Sequence, residues 1–272
     1  MLQFSLVEQI ALALFLLSGI SFFLYHLLLR LRIVLKGKSS FSVDELPKRI
    51  IRVFDEVILH KKVASGKRKS AGILHALVMY GFIFFGLITI NHFGMAFGFP
   101  IFSESFRKTY FLIFGAPWAI LCTIGILGLA YRRFVVKPEA LGKFSSTSAL
   151  VSVFIVTLMT TYLIDELHIL TGAAEKFNWW LHSGVIGGFL FLIPQSKHMH
   201  LVLSPFNIFL RPFEVPNHGA IPIDMEASEE ELDNLLFDLS RLSKDQALDI
   251  FTCVECGRCT DVCPANRGGE IG

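Results

Sequence analysis

The sequence predicts an all-α membrane protein: a bundle of five transmembrane helices followed by a short, cysteine-bearing α-helical segment. Three observations carry this expectation. The 272 residues are 53% hydrophobic, with a mean hydropathy of +0.58, which is more apolar than an ordinary soluble domain. The apolar residues gather into runs at about 4–29, 72–97, 110–131, 149–170 and 179–200, each close to the ~20 residues that a spanning helix needs. Of the five cysteines, Cys253, Cys256, Cys259 and Cys263 fall together after the last run, and Cys122 lies inside an apolar one. The formal net charge of +2 says little, because basic residues crowd the loops after the first and third runs and acidic ones crowd residues 224–249. Nothing in that distribution calls for a nucleic-acid partner.

The first run has no basic start and no small-residue cleavage site, so it reads as a retained helix rather than a signal peptide. Arg30, Arg32, Lys36 and Lys38 follow it. Residues 40–70 form a polar loop with one amphipathic piece, in which Ile50, Ile51, Phe54, Val57 and Ile58 make an apolar stripe among Lys48, Arg49, Arg52, Lys61 and Lys62. Such a piece lies on an anionic leaflet or packs on the tail; the pattern fits both. The second run carries His75 and His92. The third ends in Arg132, Arg133 and Lys137, and the fourth in Asp165, Glu166 and His168. The fifth carries Trp179 and Trp180 as an interfacial belt, then His182, Pro194 and His200, with the proline marking a kink. The loops at 98–109 and 171–178 are poor in Lys and Arg, so the positive-inside rule places the N-terminus outside and the C-terminal segment in the cytoplasm. In the tail, capping boxes at Ser228 to Glu231 and Ser243 to Gln246 start helices before Leu232 and Leu248. The domains are therefore 1–212, in the membrane, and 213–272, outside it.

The cysteines read C-x2-C-x2-C-x3-C-P, the spacing of a ferredoxin-type [4Fe–4S] site. Zinc usually takes separated pairs of ligands. In two-cluster ferredoxins the fourth cysteine of such a run ligates the other cluster. A second run is not in this sequence, so Cys263 has no visible cluster to join. The expectation is a partial ferredoxin-type segment, in the N-terminal part of a longer natural protein.

A lone histidine in an apolar run is commonly a hydrogen-bonded core residue. Here two runs each carry one near either end, and ionisable residues in spans are costly. On an ideal helix His182 and His200 lie ~27 Å apart and on nearly one face. If the second and fifth helices are antiparallel neighbours, His75 meets His200 and His92 meets His182, giving one or two bis-histidine haems suited to electron transfer. His198 is the alternative to His200. Gly86 leaves room for a macrocycle, whereas Gly184 and Gly188 serve close helix packing. Asp165, Glu166 and His168 handle protons for a quinone or form a polar helix end. His60 and His218 read as ordinary loop residues, and Cys122 as packing.

Gly72-Ile-Leu-His75-Ala with Gly81-Phe82, Trp180-Leu-His182, Pro194-Gln-Ser-Lys197-His198-Met-His200, Pro205-Phe-Asn207 and Cys256-Gly-Arg-Cys259-Thr-Asp-Val-Cys263-Pro264-Ala265 resemble the membrane-bound iron–sulfur oxidoreductases related to heterodisulfide reductase. Members join a five-helix cytochrome b, similar to the nitrate reductase gamma subunit, to a cytoplasmic part similar to heterodisulfide reductase itself. The resemblance implies b-type haems and a place in a bacterial or archaeal cytoplasmic membrane. It also implies electron exchange with menaquinone or another quinone and, in some members, electrons from electron-transfer flavoprotein. The family's second cluster motif and cysteine-rich domains are not among these residues. The expected function is electron transfer between a cytoplasmic redox partner and the quinone pool. Its rivals are a haem-free membrane anchor for a cytoplasmic iron–sulfur enzyme and a transporter, for which charged groups inside the runs are scarce.

Overall fold

The computed structural model describes residues 2–38, 41, 43–65, 68–142, 144–213, 226, 228 and 242–259. The helix expected after Ser228, together with His218 and Cys263, lies outside the described residues. Among the described residues the regular structure is helical throughout, without a strand. The α-helices are α1 (Leu6–Leu35), α2 (Leu46–Val53), α3 (Lys69–Ala96), α4 (Glu104–Tyr110), α5 (Ala116–Tyr131), α6 (Ser146–Glu166), α7 (Ala173–Leu192), α8 (His200–Leu210) and α9 (Lys244–Thr252). A π-helical turn, Phe111–Gly115, joins α4 to α5, and another, Arg132–Val136, extends α5. Pro117 in the first turn of α5 supplies no N–H to a regular ladder, which accounts for the widened turn before it.

Among the described residues four stretches are long and apolar enough to cross a membrane: Leu6–Leu35, Lys69–Ala96, Glu104–Val136 and Ser146–Glu166. They match the first four apolar runs. Their outward faces are apolar, with Leu14, Leu17, Ile83, Leu87, Ile120, Ile124 and Val153 all exposed, as a lipid-facing surface requires. The fifth run differs from the expectation. Its α-helix begins at Ala173 and ends at Leu192, followed by 3-10 turns Ile193–Gln195 and Lys197–Met199 before α8 opens at His200. Pro194 cannot donate to the ladder, and the Ser196 hydroxyl accepts from the His198 N–H at 3.3 Å, which starts a new turn. His182 and His200 therefore belong to different helices, and the ~27 Å spacing on one straight helix does not apply.

The chain divides into two compact units: Met1–Phe22, His60–Leu192 and Cys256–Gly272 form one, and Phe23–Leu59 with Ile193–Glu255 the other. In the first, α3 packs on α5, α5 on α6 and α6 on α7. The α3–α5 approach depends on Gly125, where a Cβ would come within 2.7 Å of the Leu74 carbonyl oxygen. This is the small-residue contact that lets membrane helices close up. Leu12, Ala96 and Trp179 form a further buried cluster there.

In the second unit Val34, Met199, Leu203, Ala247 and Leu248 make the core. The Ser243 capping box is formed: its hydroxyl accepts from Gln246 N–H at 3.2 Å and its own N–H donates to the Gln246 side chain at 2.9 Å. Helix α2 packs on α8 with its polarity inverted. Arg49 is 1% exposed and donates to the carbonyls of Asp44 and Phe209 at 2.7 and 2.8 Å, while Ile50, Ile51 and Phe54 are exposed. The packing of α2 on α8 agrees with the second reading of the amphipathic piece.

Candidate functional site

A cavity of about 770 Å³ opens among α3, α4, α6 and α7 in the first unit, and it gathers several of the sequence-predicted residues. His92 on α3 and His182 on α7 both line it, with ring centroids 5.0 Å apart. The His92 ring stacks on Trp179 at 4.6 Å, and its Nε2 lies 2.9 Å from the Ser183 hydroxyl. His182 Nδ1 lies 2.7 Å from the Thr161 hydroxyl, which also reaches the Thr157 carbonyl at 2.7 Å. A carbonyl only accepts, so the single Thr161 proton goes to Thr157 and the oxygen accepts from His182 Nδ1–H. That tautomer leaves the lone pair of His182 on Nε2. Asn178 Nδ2 donates to the Thr161 carbonyl at 2.9 Å and braces the same turn.

Asp165, Glu166 and His168 line the same cavity. Arg107 donates to Glu166 Oε1 at 2.9 Å, with the two side chains only 22% and 10% exposed. His168 sits just past the end of α6 with φ +51°, a left-handed position that histidine tolerates better than most side chains. Asn91 Oδ1 accepts from the N–H groups of Ile101 and Phe102 at 3.0 and 2.9 Å and ties the loop after α3 to the helix wall.

The other predicted histidines lie elsewhere. His75, near the start of α3, has its Nδ1 3.2 Å from Nε2 of His60, which is 5% exposed. His60, read from sequence as an ordinary loop residue, is a buried neighbour of His75. His200 opens α8 in the second unit, and its Nδ1 donates to the Lys197 carbonyl at 2.8 Å. The boundary between the units falls within the cysteine run, after Glu255. Among the described residues no three His, Cys, Asp or Glu side chains gather around one metal-ion position. A cubane spreads its thiolates over separate corner irons, so they stand farther apart than the ligands of one ion. Cys253 and Cys259 are exposed and Cys256 is partly buried.

Tested against a haem, His182 could hold the iron: its Nδ1 is fixed by Thr161, and its Nε2 would carry the lone pair. His92 fits less directly, because Ser183 occupies its Nε2 and the rings stand too close to admit a macrocycle without moving apart. The cavity lies beside them. Gly86 and Gly184 are exposed outside its lining, and a Cβ at either would meet nothing within 4 Å, whereas one at Gly188 would meet the Phe154 ring at 2.9 Å. The packing role expected for both Gly184 and Gly188 thus holds for Gly188 alone. Sequence reasoning missed Arg107, Thr161, Ser183 and His60. Arg107 had a signal in the Ser103 cap, whose hydroxyl accepts from Phe106 N–H at 3.2 Å and brings the arginine into a helix leading to the third span.

No family model matches the sequence, and no solved structure does either. Two curated proteins do. The chain is 30% identical over 282 residues to the probable iron-sulfur-binding oxidoreductase FadF of Bacillus subtilis (strain 168), a match covering 92% of this chain and 39% of that protein. It is 24% identical over 299 residues to the EtfAB:quinone oxidoreductase of Syntrophomonas wolfei subsp. wolfei (strain DSM 2245B / Goettingen), covering 92% and 40%. The chain thus spans about two fifths of the length of the curated relatives it matches. Both relatives are named as oxidoreductases, and this chain is related to them over nearly its whole length.

Proposed function

We propose that this chain is the membrane part of an electron-transfer oxidoreductase. It passes electrons between a cytoplasmic redox partner and the quinone pool, through a [4Fe–4S] cluster on Cys253, Cys256, Cys259 and Cys263 and one or two b-type haems. Residues 1–212 are the five-helix haem b domain, similar to the nitrate reductase gamma subunit, and 213–272 carry linker helices and the ferredoxin-type segment. Helix α7 has 20 residues, ~30 Å of rise, which is long enough to serve as the fifth span. The N-terminus lies outside and the cysteine run inside a bacterial or archaeal cytoplasmic membrane. A periplasm-active reporter should accordingly work when fused near Ser103 and stay silent after Arg211.

One observation carries this reading: His92 and His182 face each other on a cavity that they share with the Arg107–Glu166 pair, Asp165 and His168. Haem, when bound, supplies reversible one-electron chemistry. The chain's own residues do the rest. Thr161 and Asn178 fix the His182 ring, and Trp179 holds the His92 ring flat. Arg107 offers N–H donors to a quinone carbonyl, and Glu166, Asp165 and His168 exchange protons there, since a quinone taking two electrons also takes two protons. The quinone and EtfAB in the name of the Syntrophomonas relative support menaquinone or another quinone as substrate, and electron-transfer flavoprotein as the partner, taking EtfAB as that flavoprotein. The iron–sulfur wording in the name of the Bacillus relative supports the cluster.

A reduced-minus-oxidised optical spectrum of membranes holding the full natural chain tests the proposal. Sharp b-type bands are expected. Their absence would favour a haem-free anchor, a reading that the hydrogen bond from His92 Nε2 to Ser183 supports.

A further inference from the structure

The loop ahead of α3 is bonded both to the cysteine run and to His75. Arg258 Nη1 and Nη2 donate to the carbonyls of Lys62 and Val63 at 2.8 and 2.6 Å. In return Arg68 donates to the carbonyls of Cys256 and Gly257, the latter at 3.3 Å. Arg68 grips the backbone beside Arg258, and Arg258 grips the turn at Lys62 and Val63, so the two segments are tied by two guanidinium groups. The gripped carbonyls sit on a tight turn closed by Ala64 N–H donating to the His60 carbonyl at 2.8 Å. The start of α3 lies directly against that turn: a Cβ on Gly72 would collide with the Val63 carbonyl and the Ala64 backbone. At the head of the turn His60 is buried, holds φ +51°, and places its Nε2 3.2 Å from His75 Nδ1.

We infer that residues 60–65 are a positioning strap: Arg258 fastens the Cys256–Cys259 loop to a turn whose His60 orients the haem ligand His75, and Arg68, just before α3, holds the same loop. The inference rests on the reading of His75 and the cysteines given above. The tautomer follows from ligation. If His75 Nε2 holds iron, its proton is on Nδ1, and His75 donates to His60 Nε2. Such a partner on the far nitrogen fixes the ring and raises its basicity, which favours ferric over ferrous iron. The strap therefore makes the haem at His75 sensitive to changes at the cysteine run, although Arg258 and His60 touch neither iron nor each other's ligand.

The full natural chain in native membranes is compared with His60→Ala, His60→Gln, Gly72→Ala, Arg258→Ala and Arg258→Lys. Haem is counted optically, and the midpoint potential is followed for the transition that His75→Ala abolishes. His60→Ala should loosen that haem about tenfold and raise its potential, and His60→Gln should restore part of both. Gly72→Ala and Arg258→Ala should move the same transition in the same direction, with Arg258→Lys intermediate, because unseating the turn withdraws His60. Unchanged haem retention and potential in His60→Ala would overturn the inference. So would a shift in His60→Ala with none in Gly72→Ala and Arg258→Ala, since the turn would then be uncoupled from the ligand. Should Arg258→Ala lose its cluster, Gly72→Ala decides; should Gly72→Ala fail to assemble, Arg68→Gln takes its place. Absence of haem from the unaltered chain is a different result: it refutes the proposed function, and the strap falls with it.

Discussion

At one end of α3, His92 stacks on Trp179 and stands beside His182 on the wall of a cavity that an ion pair also lines. At the other end, ~26 Å of helix rise away, His75 meets His60 from a loop tied to the cysteine run. The same residue type on the same helix is thus held in two ways. At the His92 end the partners are hydroxyls and an indole, and about 770 Å³ of space lies beside them, with acids and an arginine in its wall. That is the end at which we propose that a quinone binds and exchanges protons. At the His75 end the partner is a second imidazole on a turn gripped by the Arg258 guanidinium, which suits a joint of constant geometry. The difference teaches that a histidine's role in a membrane helix is set by what holds its second nitrogen.

The largest effect should come from Cys256→Ala in the full natural chain. Iron analysis and low-temperature EPR should lose the [4Fe–4S] signal, while the haem transition assigned to His182 survives. Zinc in place of iron in the unaltered protein would break the comparison at its root. Next, His182→Ala should abolish one redox transition and keep the one that depends on His75; a haem count unchanged from wild type would turn the cavity end into ordinary core. Glu166→Gln should act on quinone alone. It weakens the charge-assisted hydrogen bond that holds Arg107 in place, worth about 1.5–3 kcal/mol, so the quinone KM should rise by about tenfold and by no more than about 150-fold. A haem spectrum altered as strongly as the KM would mean that the acid serves the fold instead. The smallest change is expected from Thr161→Val, which keeps the shape but deprives His182 Nδ1–H of its acceptor. Haem at that end should dissociate about tenfold more readily, and the His75 transition should stay in place.

Much of the architecture was legible because lipid imposes a local rule. A backbone in hydrocarbon must satisfy its own hydrogen bonds, so an apolar run of sufficient length becomes a helix whatever its neighbours. The first four runs obey this rule, and the Ser243 cap obeys an equally local one. The end of the fifth run was misjudged although its cause is also local, because its apolar character continues through Pro194 while its backbone ladder does not. The acids at the end of α6 and the histidines of α3 and α7 were visible as costly residues in apolar surroundings. Their companions were less visible. Arg107 and Glu166 are 59 positions apart, and Thr161 and His182 are 21.

By itself the sequence determined that the described chain is helical and where four apolar spans lie, and it raised the expectation of which residue types carry metal or proton chemistry. Those properties follow from composition and from period along one chain. Tertiary structure decided which nitrogen of each imidazole is occupied, that His60 stands against His75, and that an arginine neutralises Glu166 at the cavity wall. Helical periodicity assigns a residue to a face of its own helix but says nothing of the helix opposite. That neighbour is chosen by close packing at sites such as Gly125 and Gly72, where the absence of a side chain lets one particular backbone approach.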